Sequence, residues 1–559
     1  MQTTCKPADN TPVLDVSVDV CTAGSPAPVF HYFLLNVSLF ASHSFPRLLF
    51  SLATITLSVF RPYFNAMAAP ESNILSVDND IRLVLGPDSL LVKDKALAKR
   101  YRAQFCGLAL GAPPAEIAIP YYNILWASAD KALVIEYAHE KSKTQISRNV
   151  LRYTSQVADG PAQVWVERLM QRAYGQVQRQ RRAKVLINPH AGPGGAVRLW
   201  EKEVKPLFDA ARMSLDVVKT SHGGEGTEIC ETLDINAYDI IVVCSGDGLA
   251  YEVFNGLGRR PDAQSALQKV AVAHIPCGSG NAMSCNLNGS FYAGPSALAV
   301  IKGVRTKVDL MSVTQGSERM LSFLSQSAGI IAECDLGTEH MRWLGAKRFD
   351  VGIVQRIFSK KVYPCDISVK VEIENREQIK AHYRRIRDGE GGGAVDANED
   401  DPAAVDAGKG LPPLRFGTVN DEIPADWITA SYDKLGSFYC GNMAWMAPNA
   451  NFFPAACPND GLMDVITNDG DISALKYIGL MTSVETDAFF DNSLLSYRKV
   501  VAYRFTPRDQ ADGYISIDGE RVPFQPFQVE IHPGLGTVIS KRGQYEADGP
   551  RGWEKSASI

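Results

Sequence analysis

Three glycine-rich segments, each directly after a short apolar run, are the parts of this sequence best suited to chemistry. They are NPHAGPGG at 188–195, SGDGLAYEVFNGL at 245–257 and PCGSGNA at 276–282. Glycine lets backbone N–H groups approach a bound anion closely, and the start of a helix favours negative charge. One such loop is weak evidence, but three within about 100 residues predict a shared phosphate-binding site.

Asp247 is the candidate for the reacting group. It lies between Gly246 and Gly248, directly after the apolar run 238–244. In open α/β sheets, residues at the carboxyl ends of the strands line the ligand crevice. A carboxylate there could orient or deprotonate an attacking hydroxyl, as phosphoryl transfer requires. The alternative is that Asp247 forms an Asx turn or a helix N-cap, because both favour the same residue type.

The apolar runs predict the strands that position these loops. Segments 184–188, 238–244 and 270–275 are apolar, with many β-branched residues, as is typical of parallel strands buried on both faces. A helical pattern follows the first loop, from about 196 to 211. The chain contains no G-x-x-x-x-G-K-S/T motif and no H-R-D or D-F-G set. Neither a P-loop NTPase nor a protein kinase is therefore indicated.

In this order and spacing, the motifs resemble the diacylglycerol-kinase-type lipid kinases. Two later segments, GIIAECDLGTEHMRWLGAKRF at 329–349 and SIDGE at 516–520, narrow the resemblance to the sphingosine (long-chain base) kinases of fungi. The resemblance covers roughly residues 183 to 541. It implies a Rossmann-like α/β nucleotide-binding domain followed by a mainly antiparallel β-sandwich domain that holds lipid. It also implies ATP and Mg²⁺ as cofactors and phosphorylation of the primary hydroxyl of a sphingoid base.

The same resemblance gives roles to individual residues. Asp247 matches the catalytic proton acceptor of the family. Nucleotide-contacting positions are matched by Asn188, Pro189, His190, Gly192, Thr220, Ser245, Gly246, Gly248, Glu252, Gly278, Ser279, Gly280, Asn281, Arg342, Arg348, Asp518, Gly519 and Glu520. His190 departs from the family, because human-type sphingosine kinases carry an arginine at that position.

Several of these residues have a purely structural alternative. Glu252 could complement a helix dipole, and Asn281 could simply close a turn. Arg342 and Arg348, taken singly, could be surface ion-pair partners. Asp518 and the glycine after it could form a hairpin turn.

Asp335 and Glu339 are the candidates for the lipid head group. They are four residues apart and would share one face of a helix. Two carboxylates at the mouth of a lipid pocket would hold the ammonium group beside the reacting hydroxyl, and the resemblance gives this role to the aspartate that Asp335 matches. The apolar run 321–331, which contains Ser325, could line the acyl channel or be an ordinary core strand.

Composition agrees with a large enzyme. The chain has 559 residues, 45% hydrophobic and 21% charged, which suffices for two or three domains with cores. A net charge of -5 argues against nucleic acid as a partner. The 11 cysteines are scattered without a C-x-x-C pair, which predicts reduced thiols and no structural zinc or other protein-held metal. We expect a cytoplasmic protein, peripherally associated with intracellular or plasma membranes, and the sequence indicates no protein partner.

The apolar segment near the start of the chain does not resemble the rest. Its longest uncharged run, 48–60, has thirteen residues, fewer than the ~20 of a membrane-spanning helix. We therefore predict translated upstream sequence ahead of a start at Met67. The expected divisions are a non-globular or mis-annotated extension at 1–66, a small β-rich module at 67–160, the nucleotide domain at 183–313, a β-rich lipid domain at 314–541 with a disordered acidic insertion at 387–413, and a tail at 542–559.

Other functions fit parts of the sequence. A ceramide or diacylglycerol kinase would share the nucleotide motifs, but an uncharged head group has no need of paired carboxylates. A catalytically silent scaffold is disfavoured because the aspartate, the glycines and the arginines are all present. NAD kinases share the G-D-G motif, and the lipid segment at 329–349 argues against them.

Overall fold

The computed structural model describes residues 16–20, 33–37, 73–78, 81–94, 116–153, 160–337, 361–389, 409–486 and 488–554. The first 72 residues form a separate unit. In it, strands β1 (Val16–Val20) and β2 (Phe33–Val37) pair antiparallel. All other described elements belong to the second unit, which begins at Asn73.

The second unit opens with two small antiparallel sheets and a helix. One sheet contains four strands, β3 to β6, and the other contains three, β7 to β9. The helix, α1, buries Leu169 and Met170 in the core shared with both sheets. The bounds are β3 (Ile74–Asp78), β4 (Ile81–Leu85), β5 (Ser89–Lys93), β6 (Ile117–Pro120), β7 (Ile124–Ala129), β8 (Leu133–Ser142), β9 (Gln145–Tyr153) and α1 (Gly160–Tyr174).

A parallel sheet follows, and its third and fourth strands are buried along their whole length. The strands are β10 (Arg182–Ile187), β11 (Ser214–Lys219), β12 (Ile240–Ser245) and β13 (Ala271–Pro276). Their spatial order is β11-β10-β12-β13, so the direction of winding reverses between β10 and β12. The carboxyl ends of those two strands form the crevice where open α/β sheets bind ligands.

Helices cover both faces of this sheet, which explains the continuous apolar runs of β12 and β13. Helices α2, α3 and α8 pack on one face together with α1, and α4 to α7 pack on the other. The predicted helix at 196–211 is interrupted by a π-helical turn at Trp200–Val204. The bounds are α2 (Ala196–Leu199), α3 (Lys205–Ala210), α4 (Glu225–Thr232), α5 (Asp247–Gly258), α6 (Ala263–Lys269), α7 (Ala282–Asn288) and α8 (Ala293–Lys302).

The remaining strands are antiparallel to their partners, with one exception. The last strand, β26, runs parallel to β13 through Val272 and Val538 and antiparallel to β14 and β23. One hydrogen-bonded ladder therefore joins the parallel and antiparallel halves of this sheet-rich α/β structure. The strands are β14 (Val304–Gln315), β15 (Glu318–Ser322), β16 (Ser325–Gly329), β17 (Cys365–Ile373), β18 (Ile428–Tyr432), β19 (Leu435–Gly441), β20 (Trp445–Ala447), β21 (Ala450–Asn451), β22 (Met463–Asp469), β23 (Ser496–Pro507), β24 (Ile515–Ile517), β25 (Glu520–Val522) and β26 (Phe527–Ser540).

Three described helices accompany this half, and the first of them corrects one expectation. They are α9 (Ile330–Gly337), α10 (Arg376–Arg387) and α11 (Ala474–Glu485). The apolar run 321–331 is not one strand, because it divides between β15, β16 and the start of α9.

Ordered structure also extends into both ends of the predicted insertion at 387–413. Arg387 ends helix α10 and donates a hydrogen bond to the carbonyl of Tyr545. The carbonyl of Pro412 accepts one from Arg319. These contacts with distant segments are invisible in local composition, and residues 390–408 lie outside the described part of the chain.

Two further properties concern the described residues alone. None of their helices combines the length and apolar character that a membrane crossing needs. The eight cysteines among them are buried, and none of them forms a disulfide with another described cysteine.

Candidate functional site

The three glycine-rich loops meet at the carboxyl ends of β10, β12 and β13. A Cβ atom on Gly278 would lie 2.7 Å from the backbone nitrogen of Gly246, and one on Gly192 would lie 2.9 Å from the carbonyl oxygen of Cys277. Gly192 also has a φ of +54°, which disfavours other residues. Glycine is therefore required because the backbones touch each other, in addition to any need to approach a ligand.

The loops form one wall of a cleft of about 720 Å³. The opposite wall comes from the antiparallel half. The predicted site residues that line the cleft are Asn188, His190, Gly192, Ser245, Gly246, Asp247, Gly248, Glu252, Gly278, Ser279, Gly280, Ser325, Asp335, Asp518, Gly519 and Glu520.

The remaining predicted residues lie elsewhere. Thr220 lines a smaller adjoining cleft of about 160 Å³, which shares Asn188, His190 and Glu252 with the main one. Pro189 and Asn281 are absent from the described lining of both clefts. Glu339, Arg342 and Arg348 fall outside the described residues.

Asp247 is the first residue of α5, yet its carboxylate holds the start of a different helix. Its two oxygens accept hydrogen bonds from the backbone N–H groups of Ala282 and Met283, each at 2.9 Å. Both groups belong to the first turn of α7. The carboxylate is thereby fixed in orientation at the edge of the cleft. Asp247 therefore does cap a helix, as the structural alternative proposed. Because Asp247 also lines the cleft, this capping is compatible with a catalytic role.

His274, which the sequence gave no reason to select, lies beneath this loop. It is fully buried on β13, and its Nε2 is 3.2 Å from the carbonyl oxygen of Ser245. Its Nδ1 has no hydrogen-bond partner among the described residues. Burial lowers the pKa of His274, and the charge of Asp247 acts in the opposite direction. A histidine in a strand has no sequence signal that distinguishes this position from an ordinary core position.

Two of the predicted nucleotide contacts use their side chains to build the loops. Asn281 accepts a hydrogen bond from the N–H of Gly278 and donates one to its carbonyl, both at 2.8 Å. Its φ is +56°, and the turn-closing alternative therefore describes its side chain. Glu252 accepts a hydrogen bond at 2.9 Å from the N–H of Gly226, near the start of α4.

The Asp518-Gly519 pair is the turn of the β24–β25 hairpin, with both residues at positive φ. Asp518 is buried and accepts hydrogen bonds from the Ser322 hydroxyl and from the backbone N–H groups of residues 323–325. Burial raises the pKa of Asp518 to about 6. Its carboxylate therefore holds the corner between β15 and β16, and the hairpin places the next carboxylate in the cleft. That carboxylate is Glu520, whose Oε1 would lie 3.0 Å from a Cβ on Gly248.

Asp335 lies on α9 at the border between the polar and apolar parts of the cleft. Its Oδ2 accepts a hydrogen bond from the Ser516 hydroxyl at 3.2 Å. Tyr439 lies nearby, and burial raises the pKa of its phenol, with the charges of Asp335, Asp518 and Asp247 acting in the same direction. Three carboxylates thus influence one buried phenol inside the cleft.

The far end of the cleft is apolar. Neither helix α11 nor the segment around residue 452 carries a motif, which is why the sequence did not indicate them. The apolar lining residues are Leu324, Ile331, Cys334, Phe452, Ile478, Met481 and Val484. Within the described part of the chain, no group of three or more His, Cys, Asp or Glu side chains could hold a metal ion.

Comparisons with known proteins agree with the motifs. Residues 182–313 match the diacylglycerol kinase catalytic domain family, and residues 73–175 match a domain of unknown function, DUF7493. The crystal structure of a Bacillus anthracis protein assigned as a diacylglycerol kinase superposes with a TM-score of 0.44 at 16% identity, covering 65% of this chain and 96% of that one.

Two yeast proteins are similar over most of the chain. Sphingoid long chain base kinase 5 of Saccharomyces cerevisiae is 34% identical over 431 residues, which are 68% of this chain and 62% of that protein. Sphingoid long chain base kinase 4 of Schizosaccharomyces pombe is 33% identical over 446 residues, which are 78% of this chain and 90% of that protein. The resemblance inferred from the motifs is confirmed, and the chain belongs to the sphingoid long-chain base kinase family.

Proposed function

We propose that this protein is an ATP-dependent lipid kinase that phosphorylates the primary hydroxyl of sphingoid long-chain bases to give their 1-phosphates. One observation carries the proposal: a single cleft is lined by residues of the three glycine-rich loops, by the carboxylates Asp247 and Asp335, and by a set of apolar side chains. In this proposal the parallel half is a Rossmann-like nucleotide-binding domain. The antiparallel half is a β-sandwich domain that holds the lipid.

ATP would bind with its phosphates along the loops at 188–195, 245–248 and 278–281, where backbone N–H groups and the hydroxyls of Ser245 and Ser279 are available. His190, Thr220 and Glu252 border this end of the cleft. Arg342 and Arg348 are proposed to reach the same phosphates. Planar, permanently charged guanidinium groups suit that role.

Mg²⁺ would enter with ATP. The ion is usually held by one or two carboxylates together with substrate phosphates and water. Asp247 and Glu520 are the carboxylates beside the loops that could hold the ion. Its contribution when bound would be to neutralise charge on the phosphates.

The sphingoid base would bind with its ammonium group at Asp335, assisted by Glu339, and with its chain along the apolar lining. Ser325 would contact the polar head. The hydroxyl oxygen would attack the γ-phosphorus, the bond from that phosphorus to the β–γ bridging oxygen would break, and ADP would leave. Asp247 would accept the hydroxyl proton, which is the role that general base catalysis requires.

A lipid substrate implies contact with a membrane surface, and we propose a cytoplasmic enzyme that associates with it peripherally. Two apolar residues on helix α11 support this proposal. Leu475 and Ile478 are 82% and 42% exposed, and Ile478 also lines the cleft. An exposed apolar side chain at the rim of a lipid pocket is suited to interfacial contact.

The test is a radiolabelled-ATP assay over a panel of sphingosine, dihydrosphingosine, phytosphingosine, ceramide and diacylglycerol. We expect the free bases to be phosphorylated and the N-acylated base to be inert, because ceramide has no ammonium group to offset the negative charge of the Asp335 carboxylate. Asp335→Asn should raise KM for the base far more than KM for ATP. Asp426→Asn, at an exposed ion pair with Lys370, is the control and should change neither.

Three outcomes would replace the proposal. Equal rates on ceramide and on free bases would leave a generic lipid kinase. Selective phosphorylation of diacylglycerol would indicate a diacylglycerol kinase. Failure to transfer phosphate to any lipid, with ATP bound, would indicate a scaffold.

A further inference from the structure

A short hairpin lines the cleft beside the Asp247 loop. Strands β20 and β21 form it, and its residues in the cleft lining are Met446, Ala447, Pro448, Asn449 and Ala450. A Cβ on Gly280 would lie 3.8 Å from the carbonyl oxygen of Met446 and 3.2 Å from Oδ2 of Asp247. The hairpin therefore borders the Asp247 loop region. Phe452, directly after it, belongs to the apolar end.

The hairpin is too short to hold itself in place, since β21 contains only two residues. Asn286, a fully buried residue of α7, supplies an anchor. Its Nδ2 donates to the carbonyl of Trp445 at 2.7 Å, and its Oδ1 accepts from the N–H of the same residue at 3.0 Å. The ring of Phe291 stacks on the indole of Trp445, with 5.9 Å between centroids and 13° between planes.

The same helix also holds Asp247. Asn286 donates a second hydrogen bond, at 2.8 Å, to the carbonyl of Ala282, whose N–H is bonded to the Asp247 carboxylate. The first turn of helix α7 therefore binds the Asp247 carboxylate, and Asn286, one turn later, binds the hairpin. Asn286 therefore links the backbone of the hairpin to the helix turn that binds the Asp247 carboxylate.

We propose that Asn286 is a positioning residue for phosphoryl transfer, which rests on the lipid kinase function proposed above. It fixes the hairpin as a roof over the point where the lipid hydroxyl meets the γ-phosphate. The roof keeps the hydroxyl in line and excludes water from the phosphate.

A loosened roof has a specific consequence. Water would reach the γ-phosphorus, its oxygen would form the new bond, and the bond to the β–γ bridging oxygen would break. Asp247 would accept one proton from this water molecule, instead of the hydroxyl proton of the lipid. The products would be ADP and inorganic phosphate, so ATP would be consumed without phosphorylation of lipid.

Asn288 offers a matched control on the same helix. It is also buried, and its Nδ2 donates to the carbonyl of His274 and to the Ser284 hydroxyl, away from the hairpin. Its replacement by alanine removes a comparable buried asparagine and leaves the roof anchored. Differences between Asn286→Ala and Asn288→Ala therefore report on the roof.

The experiment measures lipid phosphorylation at varied sphingosine and varied ATP, together with phosphate release without lipid. We expect Asn286→Ala to lower kcat/KM for sphingosine by about 10- to 100-fold, the scale of a misplaced reacting group, with KM for ATP little changed. The ratio of phosphate release to lipid phosphorylation should rise. Asn288→Ala should lose thermal stability to a similar extent without a change in that ratio.

A second variant guards against misfolding of the first. Phe291 is only half-buried, so Phe291→Ala should fold and should shift the same ratio in the same direction, by less. The inference would be overturned if the ratio of phosphate release to lipid phosphorylation were unchanged in both variants, or if it changed equally in Asn288→Ala. Either result would leave the proposed kinase function standing. A wild-type protein that phosphorylates no sphingoid base would overturn the proposed function, and this inference with it.

Discussion

Asp247→Asn tests the central residue, and the structure predicts that it has two separable effects. The substitution removes the proton acceptor, so kcat should fall by about 100-fold or more. It also replaces one of two carboxylate oxygens that accept backbone N–H groups at 2.9 Å. One of those N–H groups, on Ala282 or Met283, would then face an amide NH₂ group.

The second effect has a definite size. A hydrogen bond to a charged group contributes about 1.5–3 kcal/mol, so we expect the free energy of unfolding to fall by about 2 kcal/mol. From the sequence alone, Asp247→Asn would be expected to leave stability nearly unchanged. The structure predicts a loss of stability instead, because the carboxylate accepts two hydrogen bonds from the start of helix α7.

The assay must therefore separate lost chemistry from a loosened helix. We would measure kcat at saturating ATP and sphingosine, well below the melting temperature, and unfolding by denaturant titration. Ser284→Ala is the control, since the Ser284 hydroxyl donates to the carbonyl of Ser290 within the same region and does not line the cleft. It should lower stability and leave kcat near that of the wild type.

Two results would refute the reasoning. Near-native turnover in Asp247→Asn would mean that Asp247 is a cap and nothing more. An equal loss of turnover in Ser284→Ala would mean that the integrity of helix α7, and not the carboxylate, limits the reaction.

Three other predictions follow from the packing and the buried charges. Gly278→Ala should raise KM for ATP, because the added Cβ would push two of the glycine-rich loops apart. Gly195→Ala is the control: nothing lies within 4 Å of its added Cβ, so KM for ATP should not rise. Equal KM values in the two variants would contradict the loop contact. Lys499→Met should lower the free energy of unfolding by about 3–5 kcal/mol in a denaturant titration, because the buried ammonium bridges two buried aspartates. Lys434→Ala, at an exposed ion pair, is the control and should leave the free energy of unfolding unchanged. Burial raises the pKa of Asp309 to about 8, so the folded protein keeps a proton that the unfolded chain loses near pH 4, and stability should fall as pH rises from about 4 to about 8. Asp309→Asn cannot ionise, so its stability relative to wild type should improve across that window, and a flat difference between the two would refute the assignment.

Much of the nucleotide side of the site could be predicted because its signals are local. A strand, a glycine-rich loop and a helix start are adjacent in the chain, so the order of residues around Asp247 already places it at a strand end. The three predicted strands agree with β10, β12 and β13 to within about two residues. Arg342, Arg348 and Glu339 stay predictions, since they lie outside the described residues.

Local signals were less informative where two carboxylates in one motif have different structural roles. Asp518 and Glu520 occur in one short motif, and only the fold separates them. The Asp518 carboxylate is buried and bonded to the corner at residues 322–325, whereas the Glu520 carboxylate extends toward Gly248. The sequence identified the motif as a unit because adjacency in the chain does not reveal which side chain turns inward.

What the sequence determined by itself is the set of three glycine-rich loops, the family and the residue types that the proposed chemistry needs. What the tertiary structure decided is how other segments join the candidate site: His274 against the Asp247 loop, Tyr439 within the influence of three carboxylates, and the hairpin that Asn286 holds from 159 residues away. The physical reason is that backbone propensity and glycine geometry act over a few residues, whereas a buried polar group must find its partner wherever packing brings one. Such partners leave no periodicity or spacing in the chain, and so only the folded molecule reveals them.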